Sequence, residues 1–190
     1  WMKSMSQVNK LIDNYRHFVE LPWQKNLAGI QRVWLAVYSP SEERRLRARL
    51  KEFEIATEQT KHKWHLVDIT HLPAQWLAVH DYREGYFSAP EAIGAIEEEL
   101  KEYVVSQLKA ACLSPEIDTD TVVAVLGAGS LFGFTYVSSI ISQLESSIRG
   151  RFLVFFPGEY ERNYYRFMDA RDGFNYMAVP ITSNESVLSP

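Results

Sequence analysis

The stretch "GAGSLFGFT", Gly127–Thr135, gathers small residues, main-chain amides and a hydroxyl closely enough to hold a phosphate. Glycines let backbone N–H groups approach an anion, and the start of a following helix would add positive potential. Gly127, Gly129 and Ser130 are the candidates, yet three known patterns each miss. A P-loop needs Gly-Lys where Phe132 and Gly133 stand. The dinucleotide pattern G-x-G-x-x-G, begun at Gly127 and Gly129, meets its last glycine one position late, at Gly133. A nucleophile elbow around Ser130 needs glycine where Ala128 and Phe132 stand. A tight strand-to-helix turn built of small residues is the preferred reading, and a nucleotide- or phosphate-binding site is the alternative.

Other reactive side chains form no intact pattern. His62, His65, His71 and His80 share one region, but no pair has i, i+4 spacing and no second cysteine helps, so no metal site is expected. His62, in the polar "KHK", reads as solvated. Cys112, near a helix end, reads as a small buried hydrophobe rather than a nucleophile. Arg44, Arg47 and Lys51 fall opposite Leu46, Leu50 and Phe53 at about 100° per residue, a basic stripe that could meet nucleic-acid phosphates. Glu42, Glu43, Glu52 and Glu54 flank it and Glu43 can pair with Arg47, which favours a solvated face. Glu159, Asp169 and Asp172 resemble paired carboxylates, but Arg162, Arg166 and Arg171 are interleaved among them, so ion pairs explain the charges. The same stretch holds Tyr160, Tyr164, Tyr165, Phe167, Phe174 and Tyr176. Tyrosine with arginine is the chemistry of interface hot spots, and packing beside the last strand is the competing account of each ring. No catalytic residue and no cofactor is assigned.

These groups must be positioned by a chain of 190 residues, 46% hydrophobic, long enough to bury a core without disulfides or metals. The net charge of −4 gives no general attraction to nucleic acid or anionic membrane. A single cysteine excludes an intramolecular disulfide and suits a reducing compartment. No apolar run approaches the roughly 18 residues of a spanning helix, and no signal-peptide core is visible, so a cytoplasmic protein is expected. Trp1–Ser4, ahead of Met5, read as extraneous and are set aside.

Val8, Leu11, Ile12, Tyr15, Phe18 and Val19 recur at helical spacing, an amphipathic helix that Pro22 ends. Nearly continuous apolar runs predict strands at Arg32–Ser39, which reads as buried, and at Trp64–Thr70, Thr121–Gly127, Arg151–Pro157 and Tyr176–Ile181. Helices are predicted at Glu42–Thr60, Glu91–Cys112 and Ser130–Ser147, with short helical pieces over 73–88. Residues 159–175 read as a short helix or as a hairpin turned at Asp172-Gly173. The alternation predicts an α/β fold: one domain over 5–183, a mostly parallel five-stranded sheet flanked by helices, and a frayed tail over 184–190.

Four stretches resemble the BrxB family of the BREX phage-defence systems: "LPWQKNLAGIQRVWLAVYSPSEERRLRARLKEFE", "REGYFSAPE", "DTVVAVLGAGSLFGFTYVSSI" and "RGRFLVFFPGEYERNYYRFMDARDGFNYMAVPIT". They span the chain from about residue 21 to 182. The resemblance implies a bacterial protein encoded beside a DNA methyltransferase, a large ATPase and the phosphatase-like PglZ. It also implies a part in excluding phage, with no catalytic activity established for the family. The expectation is a non-catalytic accessory protein whose first partner is PglZ. Loops on rigid scaffolds carry recognition, which points to Glu159, Tyr160, Arg162, Asn163, Tyr164 and Arg166 as the contact residues.

Overall fold

In the computed structural model, which describes residues 6–81, 83–89, 94, 96–168 and 177–184, the chain is a single α/β domain built on a mostly parallel sheet. The strands are β1 (Val33–Tyr38), β2 (Lys63–Asp68), β3 (Thr121–Leu126), β4 (Arg151–Glu161), β5 (Tyr164–Phe167) and β6 (Val179–Ile181). The parallel order is β2-β3-β4-β1-β6, and β5 pairs antiparallel with the far end of β4. Strands β1 and β3 are buried at every position, as expected of central strands covered on both faces.

One face of the sheet carries α1 (Gln7–Glu20), α2 (Glu43–Ala48) and α3 (Leu50–Gln59). Trp34, Ala36, Ala124 and Phe155 meet Leu11, Tyr15 and Phe53 there. Ser6 begins α1 by accepting a hydrogen bond from the Asn9 amide at 3.3 Å. The Tyr15 hydroxyl is buried among apolar groups but meets Thr57 Oγ1 at 2.6 Å, and Thr57 in turn donates to Phe53 O. The other face packs α6 (Glu97–Cys112) and α7 (Val137–Leu144) through Leu100, Val104, Leu108, Ile140 and Ile141 onto Leu35, Val125 and Val154. Short helices α4 (Leu72–Val79) and α5 (Arg83–Ser88) lie between β2 and α6. The chain leaves β1 for the far edge at β2 along one face and steps back through β3 to β4 along the other, as right-handed crossovers require.

Several elements differ from expectation: the helix predicted over Glu91–Cys112 begins as an α-helix at Glu97, and among the described residues the strand predicted over Tyr176–Ile181 covers Val179–Ile181. The helix predicted over Glu42–Thr60 breaks at Arg49, whose ψ of 11° separates α2 from α3. The helix predicted over Ser130–Ser147 shortens to α7, with 3₁₀ turns at Ala128–Leu131 and Glu145–Ser147. The fourth strand does not stop at Pro157. It runs on to Glu161 and turns back as β5, because β3 has ended by then and a proline is tolerated where a ladder is finishing.

That hairpin turns at Arg162-Asn163, both in the left-handed region with φ of 51° and 68°. Two such residues in a two-residue connection match the twist of the strands they join. The turn expected at Asp172-Gly173 lies outside the described residues, as do Asp169, Arg171, Phe174 and Tyr176. Gly158 permits the close pairing, since a Cβ there would stand 2.0 Å from Arg166 O.

Candidate functional site

In a sheet wound in both directions, ligands enter beyond the carboxyl ends of the strands, where the order reverses. Here an open cleft of about 370 Å³ lies at that end. Pro40, Glu43 and Arg47 follow β1, Thr70 follows β2, Gly127, Gly129 and Ser130 follow β3, and Pro157 and Met168 come from the hairpin. All three glycine-turn candidates therefore line one cavity.

Arg47 organises its wall. Nε donates to Glu43 Oε1 at 2.6 Å, Nη2 to Thr70 Oγ1 at 2.8 Å and Nη1 to Asp68 Oδ2 at 3.4 Å. Asp68 Oδ1 accepts from the Thr70 amide at 2.9 Å and from the Thr70 hydroxyl. The Tyr38 hydroxyl donates to Glu43 Oε2. Burial, followed by the Glu43 hydrogen bond and charge, pushes the Tyr38 hydroxyl far above the usual phenol range, so it stays a donor. Burial would raise the Asp68 carboxyl, but the Thr70 donors and Arg47 outweigh it and hold Asp68 below the usual carboxylate range. The cleft lining holds one cation, Arg47, and one carboxylate, Glu43, paired with each other, and Asp68 is a further partner of Arg47.

The glycine turn is equally committed. Gly127 has φ of +90°, and a Cβ on it would stand 2.3 Å from Thr70 Oγ1, so glycine is required for the β3 turn to seat against the β2 turn. The Ser130 amide is spent on Gly127 O at 3.0 Å and the Phe132 amide on Gly129 O at 3.2 Å. Ser130 Oγ donates to Gly127 O at 2.9 Å. The Ser130 amide and hydroxyl are thus bonded to the turn itself, and the guanidinium beside it is held by Glu43, Asp68 and Thr70.

Arg44, Arg47 and Lys51 do not form one stripe. The break at Arg49 places Lys51 on a different helix from the other two, Lys51 pairs with Glu54 at 2.8 Å, and Arg47 is held in the cleft. Arg44 is exposed. The histidines also have separate surroundings. His62 is not a freely solvated side chain: it stacks face to face on Trp23 at 3.6 Å, and burial lowers its pKa. His80 lies 3.6 Å from Glu99, on another element. Among the described residues no group of three His, Cys, Asp or Glu could hold a metal ion. Cys112 is buried on α6, which pushes its thiol up to about 11 and leaves it protonated at neutral pH.

The hairpin sorts the expected contact residues by strand alternation. Tyr160 faces inward with Tyr165 and Phe167, its ring 4.6 Å from that of Tyr165. Tyr165 is fully buried and donates to Ala178 O at 2.8 Å, fastening the hairpin to the turn before β6. Glu159, Glu161, Tyr164 and Arg166 all point outward and are exposed, with Arg166 3.5 Å from Glu159 across the strands. Arg162 and Asn163 form the tip, where Asn163 Oδ1 accepts from the Tyr160 hydroxyl at 3.0 Å. Glu159, Tyr164 and Arg166 thus share one surface and Tyr160 does not. Sequence reasoning gave no site role to Glu43, Thr70 and Met168. The i, i+4 spacing of Glu43 and Arg47 was a visible signal, while the third partner, Thr70, comes from another strand.

Against protein-family models, curated proteins and solved structures, the chain finds no match. Among the described residues no helix is long and apolar enough to cross a membrane.

Proposed function

We propose that the chain is a non-catalytic accessory protein of a BREX phage-defence complex and that it binds PglZ through the outward face of the β4–β5 hairpin. The long resemblance to the BrxB family supports the system and the partner. The observation that supports the surface is the hairpin itself, a two-stranded arm rooted in the core by Tyr165 and Phe167. It holds Glu159, Tyr164 and Arg166 in fixed cross-strand register. A rigid arm loses little conformational entropy when it docks, and a tyrosine beside an arginine supplies the aromatic and charged contacts that dominate interfaces.

Co-purification of the tagged chain with PglZ from cells carrying the whole locus tests this. Tyr164→Ala with Arg166→Glu, both exposed and both outside the core, is expected to abolish capture while the thermal transition stays in place. Undiminished capture by that variant would move the interface off the hairpin, and no capture by the wild type would remove PglZ as the partner.

A further inference from the structure

The connector between α1 and β1 is fastened to the sheet by very few groups. Residues 22–27 lie outside any helix or strand, ahead of the 3₁₀ turn Gly29–Arg32 that enters β1. Among the described residues their main chain is held at one point, Gln24 O, which accepts from Arg151 Nη2 at 3.0 Å. The side-chain hold is centred on Trp23. Its ring lies flat on His62, with 3.6 Å between centres and 8° between planes, and meets Trp34 edge-on at 5.7 Å. The Arg151 guanidinium stands over the same indole, 4.7 Å from its centre. Arg151 is only 6% exposed, and its hydrogen-bond partners are two main-chain carbonyls, Gln24 and Gly150.

Two nitrogens of this cluster, Trp23 Nε1 and His62 Nδ1, are buried with no hydrogen-bond partner among the described residues. A neutral imidazole tolerates this, because its Nδ1 can remain a bare acceptor while the other nitrogen carries the hydrogen. An imidazolium does not. Both its nitrogens are donors, so Nδ1 would hold a charged N–H sealed away from any acceptor. The same proton would put a second cation on an indole that Arg151 already covers.

We propose that the Trp23–His62 stack is a proton-operated latch: protonation of His62 lifts its ring off Trp23 and frees the connector between α1 and β1, while the sheet stays folded. The groups packed around the imidazole set its sense. Burial acts most strongly and opposes the proton; Asp120, on the loop before β3, favours it, and Arg151 on β4 opposes it. From α3 the contact is a carbonyl, Thr57 O, which accepts from the His62 amide at 3.3 Å. The closed latch therefore holds His62 below its ordinary value of 6.5. Closure is favoured in full above 6.5 and loses that support as pH falls through the lower closed-state value. The latch shifts toward open by about tenfold for each pH unit between the two values.

Acrylamide quenching of tryptophan fluorescence in the full chain reads the opening, followed from about pH 8 to about pH 5, where histidine titrates. Quenching of the wild type is expected to rise as the pH falls, with far-UV ellipticity unchanged. Trp23→Phe should remove the rise, which assigns it to this indole. His62→Phe keeps a flat ring against Trp23 and cannot take the proton, so its quenching should not change with pH. His62→Gln, a second variant that does not titrate, should also show no rise. Asp120→Asn withdraws the charge that favours the proton and should move the wild-type midpoint to lower pH. The proposal is overturned by a wild-type curve that stays flat, or by a rise that persists in Trp23→Phe or in both His62 variants. A rise that coincides with loss of ellipticity overturns it too, since the sheet would then be unfolding, and so does a midpoint that Asp120→Asn fails to lower.

Discussion

Arg47 and Asp68 show how neighbours decide what a charged residue does. On a helix surface Arg47 would be a solvated cation, but three donors of its guanidinium are fixed on Glu43, Asp68 and Thr70. The pair with Asp68 is worth little by itself, because the Asp68 side chain is 46% exposed and solvent screens it. Its pH dependence is nevertheless defined. Asp68 is held below its ordinary value of 3.8, so its ionised form favours the folded state. That contribution is complete above about 3.8 and is lost as pH falls through the lower folded value. Asp68→Asn, which keeps an acceptor oxygen and removes the charge, is expected to lower the melting temperature slightly at pH 7. The gap between variant and wild type should close below pH 3.8. Melting curves across that range check it, and a gap that stays constant with pH would assign the loss to packing instead.

At the scale of elements the hairpin is the feature that alternation explains best. The density of rings between Tyr160 and Phe167 divides by the two-residue repeat, inward for Tyr160, Tyr165 and Phe167 and outward for Tyr164. Its turn is less favourable than its strands. Arg162 occupies the left-handed region, which costs a residue with a Cβ roughly 1–2 kcal/mol, whereas asparagine and glycine adopt it readily. Replacing Arg162-Asn163 by Asn-Gly is expected to stabilise the chain by about 1 kcal/mol in denaturant titrations. The outward face is unchanged by that swap, so PglZ capture should persist if neither Arg162 nor Asn163 is itself a contact. Loss of capture with stability gained would place the Arg162-Asn163 tip in the interface.

The whole molecule is one sheet with a separate apolar layer on each side, and both layers meet on the same strands. Neighbouring residues of β4 alternate between them: Leu153 and Phe155 belong to the α1/α3 layer, Val154 and Phe156 to the α6/α7 layer. Damage to one layer must therefore be felt by the other. Leu11→Ala on α1, fully buried, is expected to cost about 2–5 kcal/mol. Unfolding should remain a single transition, with tryptophan fluorescence, to which Trp34 of this layer contributes, and far-UV ellipticity moving together. If fluorescence moves first, α1 and its layer unfold as an independent unit.

The α/β class and the strands at Val33–Tyr38, Thr121–Leu126 and Arg151–Pro157 were legible in the sequence, because a strand covered on both sides must be apolar throughout. Lys63–Asp68, a half-exposed edge strand, was legible from its short run of β-forming residues. So was α1, whose apolar spacing and closing proline are local signals. The break at Arg49, the turn at Arg162-Asn163 and the added strand β5 were not, since none follows from the chemistry of adjacent residues alone. The position of the glycine turn was legible, but its occupation was not: Thr70, 57 residues before Gly127 in the chain, closes against it only after β2 and β3 pair. Local pattern fixes which residues must be buried and in what kind of element. Which polar groups meet at the end of the sheet depends on strand order, and strand order is set by packing across the whole domain.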